Sequence, residues 1–202
     1  MIKAIIFDWG GVLIDNPADG LMTFCAKSLG IKTEILKEVF SLYEMEFQKG
    51  RISEGDLWEK ICGKLKIKKP TSNSLWGEAV KNIFTDKKEI YQIVQILKNK
   101  GYKTGFLSNT EIPAMNYFYD NGYERYFDAL VFSCAEKMVK PEETIYRIAL
   151  KKLKVKPREA IFIDDKPTYI EAARKVGIRG ILFKTHDQLK KELVLFSVTL
   201  NQ

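Results

Sequence analysis

Polar residues stand at or just beyond the ends of four apolar runs in this chain. They are Asp8 in IIFDWGGVLID, Ser108 in GFLSNT, Lys140 in VKPEETIY, and the adjacent Asp164 and Asp165 in IFIDDK. Two carboxylates from separate strands can share a divalent cation, and Mg2+ in particular favours oxygen ligands, often one or two carboxylates plus a substrate phosphate. An ammonium group and a hydroxyl beside them would neutralise and orient phosphoryl oxygens, helped by backbone N–H groups where the chain passes from Ser108 through Asn109 into a helix. Asp8 would then be placed for in-line attack on phosphorus. Taken singly, each residue has a blander reading. A strand-end aspartate caps a turn, Ser108-Asn109-Thr110 starts a helix, and Lys140 before Pro141 is a surface lysine. A purely structural reading explains the combination poorly.

These positions need a scaffold that brings strand ends together. Five short runs read as buried parallel strands: 4–8 (AIIFD), 103–108 (KTGFLS), 129–133 (ALVFS), 160–164 (AIFID) and 180–183 (GILF). Helical patterns separate them. KKEIYQIVQILKNKG sets Ile90, Ile93, Val94 and Leu97 on one face, and PEETIYRIALKKL opens on a proline and two glutamates suited to a helix N-terminus. Strand and helix in alternation predict an α/β fold: a doubly wound, mostly parallel, Rossmann-like sheet of five strands. Ligands of such sheets bind at the strands' C-terminal ends.

Residues 16–84 break the rhythm. LMTFCAKSLG, TEILKEVFSLYEMEF, SEGDLWEKICGKL and SLWGEAVKNIF all read as amphipathic helices, the third with Ser53 as N-cap, and no strand lies between them. The expected organisation is a catalytic core of residues 1–15 and 85–202, with 16–84 as a helical cap inserted after the first strand.

At 202 residues the chain can bury a substantial core without disulfides. Its three cysteines, Cys25, Cys62 and Cys134, are odd in number and form no C-x-x-C pair, so neither a disulfide framework nor a zinc site is indicated. No leader-like segment opens the sequence and no apolar run approaches a membrane span, which makes a cytoplasmic protein the expectation. The net charge of +7 is spread over separate lysines without interleaved aromatics. Solvated helix faces account for it, and no nucleic-acid or membrane partner is expected.

The four motifs, in this order and spacing, resemble the haloacid dehalogenase-like hydrolase superfamily, of the kind with a helical cap after the first strand. The resemblance covers nearly the whole chain. It implies that Asp8 is a nucleophile forming an aspartyl-phosphate and that Mg2+ is held by Asp8, Asp164 and the backbone carbonyl of Gly10. It further implies that Ser108, Asn109 and Lys140 bind the phosphate, and that Asp165 orients metal waters or Lys140. The implied activity is hydrolysis of a small phosphorylated metabolite, such as a sugar phosphate.

Two positions depart from the family pattern. Phosphatases of the superfamily usually carry a second aspartate two residues after the nucleophile, to protonate the leaving oxygen and activate water, and here that place is Gly10. Losing such a group costs about 10²- to 10⁴-fold, so substrates whose leaving groups need little protonation should be favoured. Tyr169 stands where many relatives have an asparagine that braces the loop of Asp164 and Asp165. The alternatives are a phospho-ligand or protein-binding module without turnover and, more remotely, a metal-free 2-haloacid dehalogenase. The latter has no use for paired carboxylates, which repel without a cation. Outside the motifs, Arg51 reads as a solvent-exposed turn residue, His186 as part of a surface helix, and Trp9 as packing beneath the cap hinge. Gly10 and Gly11 together read as the bend into the cap, with unusual backbone angles.

Overall fold

The computed structural model describes residues 1–200. Its five strands are β1 (Ala4–Phe7), β2 (Lys103–Ser108), β3 (Ala129–Phe132), β4 (Ala160–Asp164) and β5 (Arg179–Leu182), in the spatial order β3-β2-β1-β4-β5. Every pairing is parallel, so the sheet is wholly rather than mostly so. The chain runs outward from β1 to β3 and then crosses to the other side of β1. The crevice between β1 and β4 is therefore the switch point where open α/β sheets bind ligands.

Alternation along the strands explains why the sheet is covered on both faces. Ile5 and Phe7 of β1 join one apolar cluster with Phe106 and Ile163, whereas Ala4 and Ile6 join a second with Leu107 and Phe162. Eleven α-helices follow in chain order among the described residues. Between β1 and β2 lie α1 (Ala18–Leu29), α2 (Thr33–Ser41), α3 (Glu44–Gln48), α4 (Glu54–Leu65), α5 (Leu75–Ile83) and α6 (Lys88–Asn99); α7 (Ile112–Asp120) precedes β3. Beyond β3 come α8 (Ser133–Glu136), α9 (Glu143–Leu153), α10 (Pro167–Lys175) and α11 (His186–Leu195). The first cluster takes Ile90 and Leu97 of α6, Phe118 of α7 and Leu189 of α11; the second takes Tyr146 and Ala149 of α9 with Ile170 and Ala173 of α10. No helix among the described residues is long and apolar enough to cross a membrane.

Helices α1 to α5 form the insertion. The chain leaves and returns side by side, with Ile14 bridged antiparallel to Asp86 and Asp15 N–H bonded to the Thr85 carbonyl at 2.9 Å. Ser53 caps α4 in a reciprocal capping box with Asp56. The insertion is tied to the sheet domain between the start of α8 and the start of α9. There Ser133 Oγ donates to the Gln48 carbonyl at 2.7 Å, Lys137 donates to the Gly50 carbonyl at 2.8 Å, and the buried Lys49 pairs with Glu142 at 2.7 Å.

Two helices differ from the sequence reading. The run 33–47 is broken between Leu42 and Tyr43 into α2 and α3. Phe40 and Phe47 nevertheless pack on the same Trp76 ring, so the apolar period continues across the break and conceals it. Pro141 lies outside its helix. Glu142 is the extended N-cap (ψ 127°) and α9 begins at Glu143.

Candidate active site

Register places the two key carboxylates. Phe7 of β1 lies opposite Ile163 of β4, so the next residues, Asp8 and Asp164, emerge as neighbours across the switch point. Lys140, delivered by the loop before α9, inserts between them: its Nζ stands 2.7 Å from Asp8 Oδ1 and 2.6 Å from Asp164 Oδ2, with the lysine side chain only 1% exposed. Burial works against its charge, but the carboxylates of Asp8 and Asp164 outweigh that and hold the ammonium above the usual lysine range. Lys140 is thus a buried, paired cation rather than a surface lysine.

The loop carrying Lys140 is held by Asn109. The Asn109 Oδ1 accepts from the Lys140 backbone N–H at 2.8 Å and its Nδ2 donates to the Lys140 carbonyl at 3.0 Å. Both ends of the carboxamide are engaged on backbone, so Asn109 positions Lys140 as well as lining the cavity. Tyr169 is also part of this assembly. Its ring centroid is 4.8 Å from Lys140 Nζ, and its hydroxyl lies 3.4 Å from Asn109 Nδ2.

Asp165 explains a glycine. A Cβ on Gly11 would fall 2.2 Å from Asp165 Oδ2, and Gly11 has a φ of +81°. Only glycine lets the backbone turn there and the carboxylate approach. Gly10 has no such φ, so of the two glycines Gly11 alone bends the chain in the left-handed region. A Cβ on Gly10 would instead meet Pro17 Cδ at 3.3 Å, so part of the room beside that Cβ is filled by the proline ring.

Asp8, Asp164 and Asp165 offer oxygens that all lie within 4.8 Å of one another. Burial, then Asp8, raises the carboxyls of both Asp164 and Asp165; Lys140 pulls Asp164 the other way, and Lys166 followed by Lys140 does so for Asp165. Three carboxylates thus face one buried ammonium, and Asp165 Oδ1 is buried with no hydrogen-bond partner. Excess negative charge and an orphaned oxygen are what a divalent cation and its waters would satisfy. The donor set suits Mg2+.

A cavity of about 450 Å³ opens over this cluster, with Asp8, Gly10, Ser108, Asn109 and Lys140 in its lining. The insertion supplies much of the remaining wall, including Phe40 and Trp76. Trp9 reaches the cavity too, though it is 2% exposed and packs edge-on against Phe84 and Phe118. Arg51 lies outside the lining and pairs with Glu46 at 3.1 Å. His186 is at the first turn of α11.

One cavity residue escaped sequence reasoning. Glu111 is the N-cap of α7 yet makes no capping bond. Its buried carboxylate faces the insertion and accepts from Trp76 Nε1 at 3.3 Å. Burial pushes its carboxyl up to about 7, against the lowering effect of hydrogen bonds from its own backbone, Trp76 and Gln48. A glutamate before a helix is an ordinary cap signal, so nothing local marks it.

Known proteins resemble this chain. The chain is 28% identical over 223 residues to bifunctional epoxide hydrolase 2 of Sus scrofa, covering 95% of this chain but 38% of that longer protein. It is 27% identical over 209 residues to D-ribitol-5-phosphate phosphatase of Bacteroides thetaiotaomicron, covering 96% of this chain and 98% of the relative. A crystal structure of a HAD family enzyme from Bacteroides thetaiotaomicron, in complex with magnesium and inorganic phosphate, superposes with a TM-score of 0.75. Its identity is 24%, over 91% of this chain and 95% of that one. The family profile for haloacid dehalogenase-like hydrolases matches residues 2–177. The paired strand-end carboxylates, the lysine between them and this match over most of the length place the chain in that family: it is a haloacid dehalogenase-like hydrolase.

Proposed function

We propose that this hydrolase is a Mg2+-dependent phosphatase of a small phosphate monoester, working through an aspartyl-phosphate on Asp8. The observation that carries the reading is the Asp8–Lys140–Asp164 arrangement beneath the cavity, with Asp165 Oδ1 left unpaired beside it. Asp8, Asp164 and the Gly10 carbonyl would hold the cation, with Asp165 reached through its waters. When bound, Mg2+ would neutralise phosphoryl oxygens and draw charge from phosphorus.

The chain's own groups supply the rest. Lys140 offers its ammonium to the phosphoryl oxygens, while the Ser108 hydroxyl and the backbone N–H groups after it orient them. The Asp8 carboxylate attacks phosphorus, and the phosphorus–oxygen bond to the alcohol breaks. Water then attacks the same phosphorus and frees Asp8. Because Gly10 moves no proton, both proton transfers are impaired. Esters with acidic leaving groups should turn over best, and the phosphoenzyme should accumulate as a pre-steady-state burst. Three buried, unpaired cysteines are compatible with a reducing compartment such as the cytoplasm.

Phosphate release from p-nitrophenyl phosphate, with and without Mg2+, tests the reading beside Asp8→Asn. Metal-dependent release abolished by the substitution is the expected result. Release that survives Asp8→Asn, or needs no metal, would remove the proposal.

A further inference from the structure

The part of the cavity beyond the carboxylates is built unlike a site for a polyol. Ile14, Leu21, Met22, Phe40, Trp76 and Phe84 line it, with the Phe40 and Trp76 rings stacked at 5.1 Å and 4°. Asp19, Lys37, Ser41 and Glu44 also border the cavity but are exposed, and Lys37 pairs with Asp19. Their polar groups belong to the mouth. Gln48 is half-buried, and its carboxamide donates to Glu44 at 3.1 Å and also bonds Glu111. The buried polar side chains in the lining after Asn109 are Thr110, 2% exposed, and Glu111, 8% exposed, and of the two Glu111 is the one bonded to the insertion, through Trp76.

Each hydroxyl of a sugar or alditol that enters such a space loses water and must find a partner. One carboxyl among aromatic and aliphatic walls cannot serve several hydroxyls. It can serve one.

We propose that this compartment takes the alcohol portion of a phosphate monoester whose body is an apolar chain bearing a single hydroxyl, and that Glu111 meets that hydroxyl. The assignment rests on the phosphatase reading for its phosphate end. A carboxyl pushed up to about 7 by burial can donate to the hydroxyl or accept from it near neutrality. The volume of about 450 Å³ falls in the ordinary range for small-molecule sites, roughly 300–1,000 Å³.

The test uses the full chain with Mg2+ and three sets of probes: ethyl, butyl and hexyl phosphate; ω-hydroxyalkyl phosphates of four to eight carbons; and D-ribitol 5-phosphate. All are primary alkyl esters, so the missing proton donor handicaps them similarly. Turnover is read as kcat/KM on the wild type, and binding as Kd by calorimetry on Asp8→Asn. Affinity should rise about fourfold per added methylene, and D-ribitol 5-phosphate should bind at least tenfold more weakly than hexyl phosphate. At one chain length the ω-hydroxyl should add about five- to tenfold. Glu111→Leu should erase that gain without weakening hexyl phosphate, and Glu111→Gln should retain it. Flat affinity along the alkyl series, or preference for the alditol phosphate, overturns the assignment whether or not the Glu111 variants fold. Chain-length-dependent binding with no turnover of any ester would uphold the compartment while overturning the phosphatase reading.

Discussion

Gly11→Ala tests how the loop after β1 and the loop after β4 depend on each other. The new Cβ would stand 2.2 Å from Asp165 Oδ2 and 2.5 Å from its Cγ, at a φ of +81°. The left-handed conformation alone costs an L-residue about 1–2 kcal/mol. Relieving the overlap requires Asp165 to retreat by roughly 1 Å, and such overpacking adds about 1–3 kcal/mol. A total near 3 kcal/mol should lower the melting temperature by about 6–12 °C in a domain of this size. Displacing an outer ligand-orienting group also weakens metal binding by about 10- to 100-fold. The assays are thermal melting and the Mg2+ concentration for half-maximal activity. Gly10→Ala is the control, because its Cβ meets only the Pro17 ring, Cδ at 3.3 Å and Cγ at 3.9 Å. Adding Asp165→Gly to Gly11→Ala should recover the overlap part of the melting-temperature loss, leaving the backbone part, but should not recover Mg2+ affinity. A Gly11→Ala protein that melts within about 2 °C of the wild type, with unchanged Mg2+ dependence, would refute the reasoning.

Three further outcomes are expected. Lys140→Met strips the buried cation from between Asp8 and Asp164 and should cost about 3–5 kcal/mol; Mg2+ should then raise the melting temperature of the variant more than that of the wild type, and equal shifts would count against shared occupancy by cation and lysine. Glu111 has its carboxyl raised from 4.5 to about 7, so its contribution is full below about pH 4.5 and disappears as pH rises through 7. That is roughly 3 kcal/mol at 1.36 kcal/mol per pH unit; in urea unfolding, Glu111→Gln should flatten the decline between pH 5 and 8 by about that amount, and an unaltered slope would show that Glu111 titrates normally. Gly10→Asp, with Pro17→Ala to clear the ring, should speed alkyl phosphates by at least tenfold and aryl phosphates little; an equal gain on both would show that leaving-group protonation is not what Gly10 withholds.

Much of the site was legible because strand-end chemistry is local. An apolar run followed by Asp8, another by Ser108 and a third by Asp164 can be read without knowing how the strands pair. Lys140 was legible only as part of that pattern, since a lysine before a proline is otherwise unremarkable. Asn109 was visible as a neighbour of Ser108, yet its use as a clamp on the Lys140 backbone depends on a contact across 31 residues. Glu111 was invisible, since its cap position explains a glutamate whether or not the side chain turns toward Trp76. The split between α2 and α3 was hidden because Phe40 and Phe47 keep one apolar face through it.

The order of strands along the chain and the identity of the strand-end groups follow from the sequence alone. Hydrophobic period and turn chemistry act over a few residues, and a linear pattern carries them completely. What the tertiary structure decided is which of those groups meet. Asp8 and Asp164 adjoin because β4 crosses to the far side of β1. Gly11 must lack a side chain because Asp165, 154 residues later, occupies its place. The apolar wall over the phosphate end comes from helices folded back across the sheet. Such contacts depend on packing between distant segments, and no spacing within either segment encodes the distance between them.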